Sequence, residues 1–156
     1  MTDRAQTLAA GSMTSPTSLA AAAAAWDQVG EDGFEVDFLP AEHRIGQMRR
    51  ITSAQLRHWD LTTLTDDATL AVSELVTNAI KHSKGQPVGL RVRRSAYELR
   101  IEVTDGTAAP ARLRSAGVAD ENGRGLFLVA ALAKEWGVSK DGKTTWCVFR
   151  VPEWRA

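Results

Sequence analysis

Two polar side chains interrupt the apolar helical pattern of Ala71–Ser83 (AVSELVTNAIKHS): Glu74 and Asn78. Their spacing of four residues sets a carboxylate and a neutral amide side by side on one helical face. At about 100° per residue, Val72, Leu75, Val76 and Ala79 form one apolar stripe, and Glu74, Asn78 and Lys81 project from roughly the opposite side. Taken alone, this is the solvated face of an amphipathic helix. A second group lies further on, where Gly123-Arg124-Gly125 opens the apolar stretch Leu126–Glu135 (LFLVAALAKE). Free N–H groups at a helix start, approached through glycines that remove steric bulk, form an anion site. The same triplet also serves as a plain turn into a helix, and no GxxxxGKS or GxxxxGKT phosphate loop occurs in the chain.

The elements that must position these groups are legible from periodicity. Phe34–Leu39 (FEVDFL) alternates apolar and acidic residues as a half-buried strand, ended by Pro40. Ala41–Trp59 reads as a helix with Ile45, Met48, Ile51, Ala54 and Leu56 inward and Arg44, Arg49, Arg50 and Arg57 toward solvent. Thr65, Asp66 and Asp67 start the next helix, with carboxylates where the helix dipole favours them. That helix stops near Ser83, before the Lys84-Gly85-Gln86-Pro87 turn. Val88–Arg94 and Tyr97–Thr104 alternate as an antiparallel hairpin that delivers Asp105. Residues 105–122 lack apolar periodicity and read as a long surface loop of the kind that is usually functional. Trp136–Lys140 and Thr144–Val151 pair around Asp141-Gly142, a strong hairpin signal.

Bulk properties exclude several function classes. The chain has 156 residues, 44% of them hydrophobic and 24% charged, which suits one globular domain. Lys plus Arg and Asp plus Glu balance at 19 each, so no net field argues for nucleic acid or an anionic membrane as the main partner. Cys147 is the only cysteine, which rules out an intramolecular disulfide and favours a cytoplasmic setting. No apolar run reaches the roughly 18 residues of a membrane span. Residues 1–33 are rich in Ala, Ser and Thr and read as a flexible tail, with a short alanine helix near Trp26; the domain is expected over 34–156.

The order of a Glu/Asn helix, a strand ending in Asp-Gly and a Gly-rich helix start is more specific than any one piece. It resembles the Bergerat-type ATP-binding domain of histidine kinases and type II topoisomerases, and most closely the small anti-sigma factor serine/threonine kinases. Glu74–Ser83 (ELVTNAIKHS) looks like the family's N box, Val103–Pro110 (VTDGTAAP) like its first glycine box, and Gly123–Val129 (GRGLFLV) like its second. Gly142–Trp146 (GKTTW) is similar to the threonine-bearing strand near the adenine. The resemblance implies an α+β two-layer sandwich, a mixed and mainly antiparallel sheet covered on one face by helices. It implies ATP and Mg²⁺ as cofactors, with the Asn78 side-chain oxygen on the metal, which suits an octahedral ion that keeps several waters. Glu74 takes the role of catalytic base, since phosphoryl transfer needs an acceptor near the attacking hydroxyl. Asp105, with Gly106, receives the adenine amino group, supported by Thr144. Gly123, Arg124, Gly125 and Leu126 face phosphate, with Arg112 or Arg114 reaching it on loop closure. The partners so implied are an RNA polymerase sigma factor and an anti-sigma antagonist protein, with no direct nucleic acid or membrane contact and room for a homodimer. One departure stands out: Thr107 and Ala109 occupy glycine positions of the first box, where a Cβ crowds the purine or restricts the backbone. It motivates the alternative of a nucleotide-binding interaction module without catalytic activity.

Overall fold

The computed structural model describes residues 32–105 and 121–152, with helical side chains from Gly125 onward. The strands are β1 (Gly33–Phe38), β2 (Val88–Arg94), β3 (Glu98–Thr104), β4 (Glu135–Val138) and β5 (Thr144–Arg150). The helices are α1 (His43–His58), α2 (Thr65–His82) and α3 (Glu121–Leu132), with a 3-10 turn at Thr62–Leu64. The five strands form one sheet in the order β1-β2-β3-β5-β4, and each pairing among the described residues is antiparallel. Residues 1–31 of the expected tail and residues 106–120 of the expected loop lie outside the described residues, and Gly33, assigned to the tail, is the first residue of β1.

Strand alternation decides the layers. Phe38 on β1, Val88, Leu90 and Val92 on β2, Leu99, Ile101 and Val103 on β3, and Cys147 and Phe149 on β5 share one core with side chains of all three helices. This is the inner face of the sheet, and the fold is an α+β two-layer arrangement with the helices on that side. The opposite, outer face carries Glu35, Arg91, Arg93, Arg100, Glu102 and Trp146, as the period of two requires.

The inward row of α1 is Met48, Thr52 and Leu56, which stack at four-residue spacing. Ile51, expected inward, is 40% exposed and Ala54 is also exposed, because Thr52 occupies the row between Met48 and Leu56. The helix ends in a Schellman-type cap: Asp60 adopts φ 57°, its N–H donates to Arg57 O at 3.1 Å, and the Leu61 N–H donates to Leu56 O at 2.8 Å. Other expected boundaries move by small steps. The helix expected to run to Glu135 ends at Leu132, and Glu135 already belongs to β4, paired with Val148. At the last hairpin, Asp141 Oδ1 accepts from Ser139 Oγ at 2.6 Å and from the Lys143 N–H at 3.0 Å, and these bonds hold its carboxyl below the usual carboxylate range. Gly142 supplies the positive φ (77°) that this turn needs.

Candidate functional site

The helix α2 buries Ala68, Ala71, Val72, Leu75, Val76 and Ala79 against the sheet and α1. Glu74 and Asn78 lie on the flank of that stripe and both are half-buried. Neither is on a fully wet face, and for Glu74 the reason is α3. At Gly125 a Cβ would overlap the Glu74 carboxylate and would stand 3.1 Å from Glu74 Cγ. The backbone of α3 therefore rests directly on the Glu74 side chain, and only hydrogen at Gly125 permits that approach. Gly125 lies inside the helix, not in a turn ahead of it, so its role is space and not backbone conformation.

Connectivity brings the remaining pieces to the same end of the sheet. The short link Ser83–Pro87 joins the end of α2 to the start of β2, whose Gly89 pairs with Thr104 at the end of β3. Thr104 pairs in turn with Thr144 at the start of β5, and the Asp105 N–H donates to Lys143 O at 2.9 Å. Asp105 is buried there, 7% exposed, and engaged by a polar partner. From this end α3 runs away toward the start of β4, where the Lys134 N–H donates to Val148 O at 2.8 Å. The C-terminal half of α2, the end of β3, the start of β5 and the glycine turn of α3 thus surround one corner.

Two expected site residues are placed differently. Thr144 lies on the outer face, its hydroxyl 2.8 Å from that of Thr104, so the sheet separates it from Glu74 and Asn78. Its neighbour Thr145, paired with Val103, shares the inner face with Cys147. Counting back in twos from the apolar pair Phe149 and Cys147 would have selected Thr145. Leu126 is 5% exposed in the apolar core, so its side chain serves packing, and a ligand contact from this residue would be made by its backbone. Gly106, Thr107, Ala109, Arg112 and Arg114 lie outside the described residues, and Gly123 and Arg124 fall in the first turn of α3, ahead of its first described side chain. At the end of α2, His82 is half-buried and engaged, and Ser83 is fully buried with its hydroxyl donating to Ile80 O at 3.0 Å.

A concavity of about 400 Å³ on the outer face is bordered by Glu35, Asp37, Arg91, Glu102, Thr104 and Thr144, and it reaches Asp105 at the end of β3. It lies across the sheet from Glu74 and Asn78 and is not the floor that α2 and α3 build. Among the described residues no group of three or more His, Cys, Asp or Glu is placed to hold a metal. The oxygen donors at the corner, the Asn78 amide and the Glu74 carboxylate, are hard ligands of the type Mg²⁺ accepts singly beside phosphate and water.

Residues 38–149, well over half of the chain, match the family model of the histidine kinase-like ATPase domain. No curated protein matches the chain. Members of the matched family typically bind ATP with Mg²⁺. The matched span contains Glu74, Asn78, Asp105 and Gly125 on the antiparallel sheet and helix layer described above, and the chain belongs to the histidine kinase-like ATPase domain family.

Proposed function

We propose that this protein is a Mg-ATP-binding regulator that sequesters an RNA polymerase sigma factor and phosphorylates a serine or threonine of an anti-sigma antagonist. The observation that supports a nucleotide site at this corner is the seating of Gly125 on Glu74, which brings the second glycine box onto the helix that carries Asn78. Asn78 would hold Mg²⁺ through its amide oxygen, and the bound ion would neutralise charge on the phosphates. Asp105 would accept from the adenine amino group. Glu74 would take the proton of the attacking hydroxyl, and the same carboxylate, half-buried under α3, is shielded from bulk water on that side. The test is phosphotransfer from Mg-ATP to the cognate antagonist. Glu74→Gln should abolish transfer while calorimetry still detects nucleotide, and Asn78→Ala should weaken Mg-ATP binding. No binding heat from the unmodified protein at high nucleotide concentration would overturn the reading.

One observation favours a second reading, an interaction module without catalysis. The Glu74 carboxylate is packed against the backbone of α3 and has a polar partner, as a structural link between two helices would. In that case Glu74→Gln changes stability and leaves partner binding intact, and sigma-factor binding proceeds without nucleotide.

A further inference from the structure

The arginines of the sheet and those of α1 are treated differently by the fold. On the sheet, Arg91 stands 3.7 Å from Glu35, Arg93 and Arg100 stand 3.7 Å and 2.6 Å from Glu102, and Arg94 stands 3.6 Å from Asp32. On α1, Arg44 and Arg57 donate instead to neutral acceptors, Gln47 Oε1 at 2.9 Å and Ser53 Oγ at 3.1 Å. Among the described residues, no carboxylate forms an ion pair with Arg44, Arg49, Arg50 or Arg57. The helix has none to offer, because His43–His58 (HRIGQMRRITSAQLRH) contains neither Asp nor Glu, and Glu42 and Asp60 lie just beyond its two ends. In a chain whose charges balance at 19 each, this is a segregated cationic surface. Helix stability does not call for it. An acid one turn before an arginine would add an ion pair, and the first turn of α1 has no acidic residue where the helix dipole favours one.

The surface has a definite shape. At about 100° per residue, Arg50, Ala54 and Arg57 share one line on the side opposite the buried Thr52. All three are exposed, Ile51 beside them is 40% exposed, and Leu39 just ahead of the helix is 64% exposed. A Cβ on Gly46 would stand 3.3 Å from Arg50 Nη1, so Arg50 leans back along the helix over Gly46 and away from Ala54. A small apolar step therefore lies between two guanidinium groups carried about two turns, or roughly 10 Å, apart. A matching occupant supplies two carboxylates at that separation and an aliphatic side chain between them. A helix with Asp or Glu at positions seven apart and Leu or Ile midway does so. A second copy of this chain does not fit, because antiparallel packing of the row on itself sets Arg50 against Arg57. A nucleic acid backbone would pair with the guanidinium groups but leave Ile51 and Ala54 without an apolar partner.

We infer that the solvent face of α1 around Arg50, Ala54 and Arg57 is a docking surface for an acidic amphipathic helix of another protein. Helix α2 intervenes between α1 and the turn of α3 at the nucleotide corner, so the inference does not rest on nucleotide binding. The test titrates the full chain, by fluorescence anisotropy at about 0.15 M salt, with a labelled alanine-based helical peptide of about 18 residues. The peptide carries Glu at two positions seven apart and Leu midway; a control of the same composition sets its two Glu on opposite sides. The matched peptide should bind, and Arg50→Glu with Arg57→Glu should weaken it at least about ten-fold. That doubly reversed protein should instead bind a peptide with Lys in place of each Glu, which also shows that it is folded. Arg49→Glu makes the same charge change on another side of the helix and should alter affinity less than about three-fold. No binding of the matched peptide would overturn the inference, as would equal binding of the control or an equal loss from Arg49→Glu and Arg50→Glu. Random-sequence duplex DNA that displaces the peptide and depends on the same two arginines would also overturn it, by assigning the face to phosphate.

Discussion

The two faces of the sheet obey the same alternation and reach burial by different means. On the inner face, Leu90, Ile101 and Cys147 are fully buried against helices, and the stabilising term is apolar area removed from water. On the outer face, charged groups satisfy one another. Arg100 Nε lies 2.6 Å from Glu102, Arg93 and Arg91 stand 3.7 Å and 3.8 Å from the same carboxylate, and Lys134 pairs with Glu98. Trp146 is held there between Arg100 and Gly137, where a Cβ would stand 2.6 Å from the indole. The difference teaches that polar residues on alternate positions need not mark solvent: Arg93 and Trp146 are buried among paired charges.

The sharpest contrast is between adjacent residues of β3. Ile101→Ala should cost about 2–5 kcal/mol in urea unfolding, through lost transfer energy and the cavity left behind; a loss no larger than that of Arg100→Ala would break the comparison. Next in size is an alkaline effect of the inner face. Burial pushes the Cys147 thiol from 9.0 up to about 12, against a smaller opposing pull from Arg100. Because the folded value is the higher one, the stabilisation is complete below pH 9 and is lost as pH rises toward 12, on the order of 4 kcal/mol at the top of that window. Cys147→Ala should therefore show a flatter fall in melting temperature over the same range. Gly125→Ala comes third, at about 1–3 kcal/mol from overpacking, offset by up to about 1 kcal/mol of helix propensity. Adding Glu74→Ala should recover part of that loss, since it removes the atoms the new Cβ meets; a double-mutant cycle with no coupling would mean the helices do not meet there. Arg100→Ala should cost about 1–2 kcal/mol by removing the guanidinium from Trp146 and Glu102, and should shift the Trp146 fluorescence. The smallest effect is Asp141→Ala, below about 1 kcal/mol, since its hydrogen bonds lie in an exposed turn.

Much of the scaffold was legible because its signals are local. The period of two along Val88–Arg94 and Glu98–Thr104, the Asp141-Gly142 turn and the apolar row of α2 each depend on near neighbours, and each element formed within a few residues of expectation. Ile51 misled because three- and four-residue spacings were pooled, and the packing chose the row through Thr52. The GKTTW stretch offers two threonines, and pairing with β3 sets Thr144 on the outer face and Thr145 on the inner one. The site was legible as an order of motifs but not as a contact: nothing local to Gly125 says that its missing side chain makes room for Glu74, about fifty residues earlier in the chain.

By itself, then, the sequence determined which segments become strands and helices, which strand residues turn inward, and that a carboxylate and an amide share one flank of α2, because these follow from backbone period and side-chain chemistry. Only the tertiary structure decided that Glu74 lies beneath α3 and that Arg93, Trp146 and Val148 on the opposite sheet face are buried. Those outcomes depend on strand order and on how closely two backbones approach, and both are set by packing across distances that no run of neighbouring residues encodes.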